Sequence, residues 1–237
     1  MRLSMLAFFL SIQVFVHVNA QSDCYATLRS SVDSMKEIDA GQLAIEYDIR
    51  VTVKNVTEES KASILIANGK ARFITDEIEL FKDGKTQVAV MKEDREIILT
   101  TPLQKRSNEI NKLVLMMLQD SLFRHMVVTS CETTCDPKDS NRFIEKIEMQ
   151  FETGELRQNA GIKNMEYWVD RKLNQVKRVR IVYLRHSYDV QEIDVAVSRY
   201  DRKFSGEAFR GTAYGVVFTA KNELQKKYKG YSVKDLR

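Results

Sequence analysis

Side chains able to do chemistry are sparse in this chain of 237 residues. Asp83-Gly84-Lys85-Thr86 ends like a phosphate-binding loop, but Glu79 stands where such a loop needs its first glycine, and a strand follows instead of a helix. An Asp-Gly hairpin turn accounts for the motif. Of the three histidines, His17 falls in a removable leader. His125 closes an apolar helix, where the helix C-terminus suffices to explain it, and His186 sits at a strand end. Neither has a partner arranged for general-base or nucleophilic work. No Gly-x-Ser-x-Gly elbow, His-Glu-x-x-His helix or calcium loop occurs. The expectation is a protein that is not an enzyme, with no catalytic residue, no metal and no cofactor.

Cys24, Cys131 and Cys135 form the redox inventory. In an oxidising compartment Cys131 and Cys135 could close a small ring through Glu132-Thr133-Thr134, leaving Cys24 free. Three cysteines allow three pairings, and sequence does not choose among them. Asn55-Val56-Thr57 fits a glycosylation acceptor, but the pattern is common by chance and a solvated strand end is the favoured reading. Arg171, Lys172, Lys177, Arg178 and Arg180 are divided by strand geometry between two faces, which suits a solvated sheet better than an anion groove. The 37 basic and 33 acidic residues nearly balance at +4, so no nucleic-acid partner is expected. Lys226, Lys227, Lys229 and Lys234 read as a solvated tail, with peripheral contact to an anionic membrane as the alternative.

The elements that must position these groups begin after a leader. Arg2 precedes an apolar stretch from Leu6 to Val18, and Val18-Asn19-Ala20 matches a signal-peptidase site. Residues 1–20 are therefore expected to be a signal peptide cleaved after Ala20, leaving 21–237 as one domain. Tyr25 to Ile38 has helical spacing through Leu28, Val32 and Met35. From Leu43 the period becomes two. Ile45, Tyr47, Ile49, Val51 and Val53 alternate with polar residues, and short strands follow at 62–67, 71–75, 77–81, 87–91 and 96–100. Asn68-Gly69 and Asp83-Gly84 are hairpin signals. After Pro102, Ser107 caps an expected helix from Asn108 to about Met126. Its Leu113-Val114-Leu115-Met116-Met117-Leu118 run requires cover on more than one side. Residues 131–141 read as a polar turn. A second strand set follows: Phe143 to Phe151, Met165 to Val169, Val176 to Leu184, Ile193 to Val197, and a last short one at 215–220. The composition is α+β and mainly antiparallel, with roughly ten or eleven strands and no crossover helices for a parallel sheet.

Gly69-Lys70-Ala71-Arg72-Phe73, Phe81-Lys82-Asp83-Gly84-Lys85-Thr86 and Ile97-Ile98-Leu99 resemble the first half of LolA-type periplasmic outer-membrane lipoprotein carriers. Trp168-Val169-Asp170, Val179-Arg180-Ile181 and Tyr228-Lys229-Gly230-Tyr231 resemble the second half. Val88 and Val90 stand where the family has aromatics, Lys92-Glu93 replaces its Asn-Pro, and Arg72 lacks the Pro that follows the family's early arginine. The resemblance implies a curved, unclosed β-barrel with an N-terminal helix and a central helix covering its concave face.

An apolar sheet face that side chains fail to fill would hold an acyl chain, at about 0.8 kcal/mol per buried methylene. Ile49, Val51, Phe73, Phe81, Val88, Val90, Tyr167 and Val169 are the cavity candidates, and Leu113, Met116 and Met117 the lid candidates, Met being adaptable. The expected function is an exported carrier, located in the periplasm, that binds the acyl chain of a lipid or lipoprotein. The alternative is an interaction or sensor module that meets an envelope protein partner through strand edges.

Overall fold

The computed structural model describes residues 23–35, 42–102, 123–136, 139–184, 189–205 and 211–237. The leader, the Leu113 to Leu118 run and His186 lie outside the described residues. Helix α1 spans 23–35. The strands are β1 Leu43–Val53, β2 Val56–Ala67, β3 Lys70–Thr75, β4 Ile78–Lys82, β5 Gln87–Met91, β6 Glu96–Thr100, β7 Met126–Asp136 and β8 Asp139–Phe151. Helix α2 covers Gly154–Ala160, followed by β9 Ile162–Asp170, β10 Gln175–Tyr183 and β11 Val190–Asp201. A short helix α3, Ala213–Val217, and β12, Ser232–Asp235, complete the described elements.

Hydrogen bonding orders the 12 strands as β12-β6-β5-β4-β3-β2-β1-β11-β10-β9-β8-β7, an unclosed sheet ending at β12 and β7. The ladders from β2 to β6 and from β7 to β11 are antiparallel. β12 joins β6 in parallel. Two-residue turns at Lys54-Asn55 and Asn68-Gly69 have positive φ throughout, as a right-twisted hairpin requires.

The chain forms two compact units, each described by itself. The first comprises Met1–Glu37, Arg50–Glu58 and Leu118–Ala196, the second Ile38–Ile49, Glu59–Met117 and Val197–Arg237.

In the first unit, α1 buries Cys24, Leu28, Val32 and Met35 along one stripe. Ser31 Oγ donates to Asn174 Oδ1 at 2.9 Å and Ser34 Oγ to the Asn174 carbonyl at 2.8 Å, tying the helix to the β9–β10 turn. Register aligns Ile147, Tyr167 and Val179 across β8, β9 and β10, with Met149, Met165 and Ile181 beside them. All six are buried, and each such side chain contributes roughly 1.5–3 kcal/mol. The opposite face carries an ion-pair ladder: Lys146 and Arg180 on Glu166, Arg180 on Glu192, and Arg178 on Asp194. Trp168 lies between Lys146 and Arg178, whose charges sit 5.5 and 4.4 Å from its ring. Arg178 and Arg180 thus have carboxylate partners on a polar sheet face.

Several boundaries differ from the sequence reading. Residues 131–136 are not a turn: they continue β7, an edge strand paired only with β8 among the described strands. Its Thr, Glu and Cys side chains hide the strand signal because neither face is fully buried. The disulfide joins Cys24 to Cys131 and leaves Cys135 exposed, so the proposed Cys131–Cys135 ring does not form. Those two residues lie on one strand, about 13 Å apart at 3.3 Å per residue, beyond the roughly 7 Å limit for a bridge. β2 starts at Val56, earlier than expected, because its first half is exposed and polar. From Met126 the chain is in β7, so a helix does not reach Met126 as expected, and residues 108–122 of that expected helix lie outside the described residues. Residues 213–217 are helical and overlap the strand expected at 215–220, and the tail contains β12 and a buried Tyr228.

Candidate functional site

The second unit presents two different apolar faces, because β4, β5 and β6 carry apolar residues on both sides. On one face Phe81, Val88, Val90, Ile97 and Leu99 are buried and pack with Ala213, Val217, Phe218 and Tyr228 of the C-terminal segment. Arg72 covers the margin, its guanidinium 5.0 Å from the Phe81 ring. Three of the sequence candidates, Phe81, Val88 and Val90, therefore belong to a filled core.

Two acidic residues anchor that cover. In the Asp83-Gly84-Lys85-Thr86 turn, Asp83 Oδ1 accepts the Lys85 and Thr86 backbone N–H groups, both at 2.8 Å. Its Oδ2 accepts the Ala213 N–H at 2.7 Å, at the start of α3. The amides that would cradle a phosphate are thus turned onto the chain's own carboxylate. Burial pushes the Asp83 carboxyl up, but these three N–H bonds and nearby Lys70 outweigh it and hold it below its ordinary value. Glu79, 4% exposed, accepts from Lys227 Nζ at 2.7 and 2.9 Å and from the Tyr228 hydroxyl at 2.8 Å. Lys92 Nζ lies 3.5 Å away. Burial raises the Glu79 carboxyl, and the bonds from Lys227 and Tyr228 with the charges of Lys227 and Lys92 bring it below the usual range. Burial and the bond to Glu79 push the Tyr228 hydroxyl upward.

On the opposite face no such cover is found among the described residues. Register sets Ile64 opposite Phe73, Phe73 opposite Leu80, Leu80 opposite Ala89, and Ala89 opposite Ile98. These residues make one apolar row across β2, β3, β4, β5 and β6, about 19 Å long at 4.8 Å per strand. Ile78 and Met91, paired to each other, widen it. Ile64 is buried, whereas Phe73, Ile78, Leu80, Ala89, Met91 and Ile98 are half-buried. On one side the neighbouring row is polar across β4, β5 and β6, at Lys82, Gln87 and Thr100, and apolar across β2 and β3, at Ile66 and Ala71. The arrangement offers a greasy strip with a polar margin, which suits an acyl chain attached to a polar group.

Of the other sequence candidates, Phe73 is in this row. Ile49 and Val51 are half-buried on β1. Tyr167 and Val169 are buried in the first unit, where the Tyr167 ring lies 5.9 Å from Phe123. Leu113, Met116 and Met117 lie outside the described residues. Sequence reasoning missed Ile64, Leu80, Ala89 and Ile98. The signal was the unbroken apolar runs Val88-Ala89-Val90-Met91 and Ile97-Ile98-Leu99, which mark strands apolar on both faces.

Cys24, Cys131 and Glu145 place potential ligand atoms within 4.8 Å of one another. Both sulfurs are committed to the disulfide, and Glu145 Oε1 accepts from Arg171 Nε at 2.7 Å. The cluster is a covalent anchor. A disulfide between distant segments fits an oxidising compartment.

No sequence-family description matches this chain, and no curated protein matches it by sequence. Its fold resembles solved structures only remotely. One is a LolA superfamily protein from Nitrosomonas europaea, at 9% identity and TM-score 0.31, covering 77% of this chain and 97% of that one. MucB of Pseudomonas aeruginosa, in complex with MucA, is 9% identical with TM-score 0.45, covering 81% of this chain and 62% of that one. An uncharacterized conserved protein from Thermus thermophilus is 10% identical with TM-score 0.40, covering 85% and 99%.

Proposed function

We propose that the protein is an exported, non-enzymatic carrier of an acyl-bearing ligand, a lipid or lipoprotein, acting in the periplasm after cleavage following Ala20. The observation that supports this reading is the Ile64–Phe73–Leu80–Ala89–Ile98 row. Half-buried apolar surface of this extent gains from further cover, and an acyl chain supplies it at about 0.8 kcal/mol per methylene. No covalent step is needed: the buried carboxylates of this region, Glu79 and Asp83, are engaged in holding the C-terminal segment. Native mass spectrometry of protein purified without detergent tests the reading. Bound lipid that dissociates on denaturation is expected, and protein that is lipid-free and fails to take up added fatty acid contradicts it.

A second reading rests on β7. This strand lies at one end of the sheet, with Val127 and Cys135 exposed. A sheet end presents unpaired backbone groups that an extended segment of an envelope protein would pair with. Recovery of a stoichiometric protein partner without lipid favours this interaction module over the carrier.

A further inference from the structure

We propose that a cleft in the first unit, independent of the acyl face, is a binding site for a saccharide. The cleft has a volume of about 590 Å³ and opens beside the β1–β2 turn, a size within the range of small-ligand sites. Its polar lining comes from Thr52, Asn55, Gln158, Lys163 and Gln191. Val182, Tyr183 and Leu184 supply apolar surface on the adjoining strand end.

The chemistry of this lining selects its ligand. A carboxamide presents a donor and an acceptor side by side, as a pair of neighbouring sugar hydroxyls does, so the two satisfy each other in either direction. The cleft gathers three such groups, on Asn55, Gln158 and Gln191. The C–H face of a pyranose ring needs the kind of apolar patch that Val182, Tyr183 and Leu184 provide. Other ligand classes fit less well. The carboxylate lining the cleft, Glu192, is already held by Arg180 at 2.6 Å, so it does not recruit a cation. Among the described residues Lys163 is the single cation of the lining, too little for a phosphate-rich ligand. An acyl chain would strip water from the amides without replacing their hydrogen bonds.

The walls are held in place before any ligand arrives. Lys54 and Asn55 take positive φ in the turn, and the Asn55 backbone N–H donates to Gln191 Oε1 at 3.1 Å. That bond orients the Gln191 amide and leaves its nitrogen as a donor. The Leu184 N–H donates to the Gly161 carbonyl at 2.8 Å, joining the apolar patch to the end of α2.

The test uses the full mature chain, labelled with nitrogen-15 and titrated with maltose and with N,N′-diacetylchitobiose, with glycerol as the control polyol. Saturable shifts of the Asn55, Lys163 and Gln191 backbone amides are expected with at least one sugar and not with glycerol. The double variant Gln158→Ala/Lys163→Ala changes two exposed side chains, and its unshifted spectrum elsewhere reports retained folding. It should bind about tenfold more weakly or worse. Failure of both sugars to saturate, equal shifts with glycerol, or undiminished binding by the variant overturns the proposal. Because no lipid enters the assay, its outcome is separate from that of the carrier reading.

Discussion

The two units close their apolar sheet faces by different means. In the first, α1 lies along a stripe of buried residues and is fixed covalently, through a bond spanning 107 residues of sequence. In the second, the C-terminal segment covers Phe81, Val88, Val90, Ile97 and Leu99 without a covalent link, held by hydrogen bonds to Glu79 and Asp83. The second unit also retains a half-buried apolar row on its other face. Alternation along a strand creates an apolar face, but what covers that face is set by distant parts of the chain. One face is therefore sealed and contributes stability, whereas on the other Phe73, Leu80, Ala89 and Ile98 stay half-buried.

The sharpest way to break this contrast is to truncate on opposite sides of one strand. Phe81→Ala should destabilise the protein by about 3–5 kcal/mol in chemical denaturation, as a buried aromatic truncation does. Leu80→Ala, its half-buried neighbour, should cost less than half as much and weaken fatty-acid binding instead. Equal losses from the two would erase the distinction between the faces.

The covalent anchor should rank next. Replacing both partners, Cys24→Ser with Cys131→Ser, should cost about 2–4 kcal/mol, and Cys135→Ser should leave the denaturation midpoint unchanged. A destabilised Cys135 variant would point to a different pairing.

Smaller effects are expected at the acidic anchors. Tyr228→Phe deletes the hydroxyl that Glu79 accepts, at a cost of about 1–2 kcal/mol. Glu79 and Asp83 both have folded values below their ordinary 4.5 and 3.8, so between folded and unfolded values the unfolded chain binds more protons. Their stabilisation is complete above about pH 5 and is lost as pH falls through the depressed folded values. Hydrogen-exchange protection in residues 213–235, taken relative to the intrinsic rate at each pH, should therefore fall on acidification before protection in β8 to β10 does, and Glu79→Gln should flatten that response.

Much of the architecture was legible in the sequence. The Asn68-Gly69 and Asp83-Gly84 turns and the alternating runs between them placed β3 to β6 within about a residue, and the Leu28, Val32, Met35 spacing placed α1. Strands without an apolar face were not legible. The exposed first half of β2 and all of the Cys131 to Asp136 segment are stabilised by backbone pairing, which leaves little trace in side-chain pattern. Of the residues singled out from the sequence, Phe73 alone lies in the candidate row. With apolar residues at both Leu80 and Phe81, and at both Ala89 and Val90, alternation alone could not say which set is sealed. That depended on Val217, Phe218 and Tyr228, more than a hundred residues away in sequence.

The central claim is that the row from Ile64 to Ile98 receives an acyl chain, and photolabelling tests it most directly. A fatty acid carrying a diazirine in its tail, irradiated with the protein and mapped by peptide mass spectrometry, should mark β3, β4 and β5 at Phe73, Leu80 or Met91. Excess unlabelled fatty acid should suppress those adducts. Labelling that is unsaturable, or confined to peptides outside β2 to β6, would contradict the account.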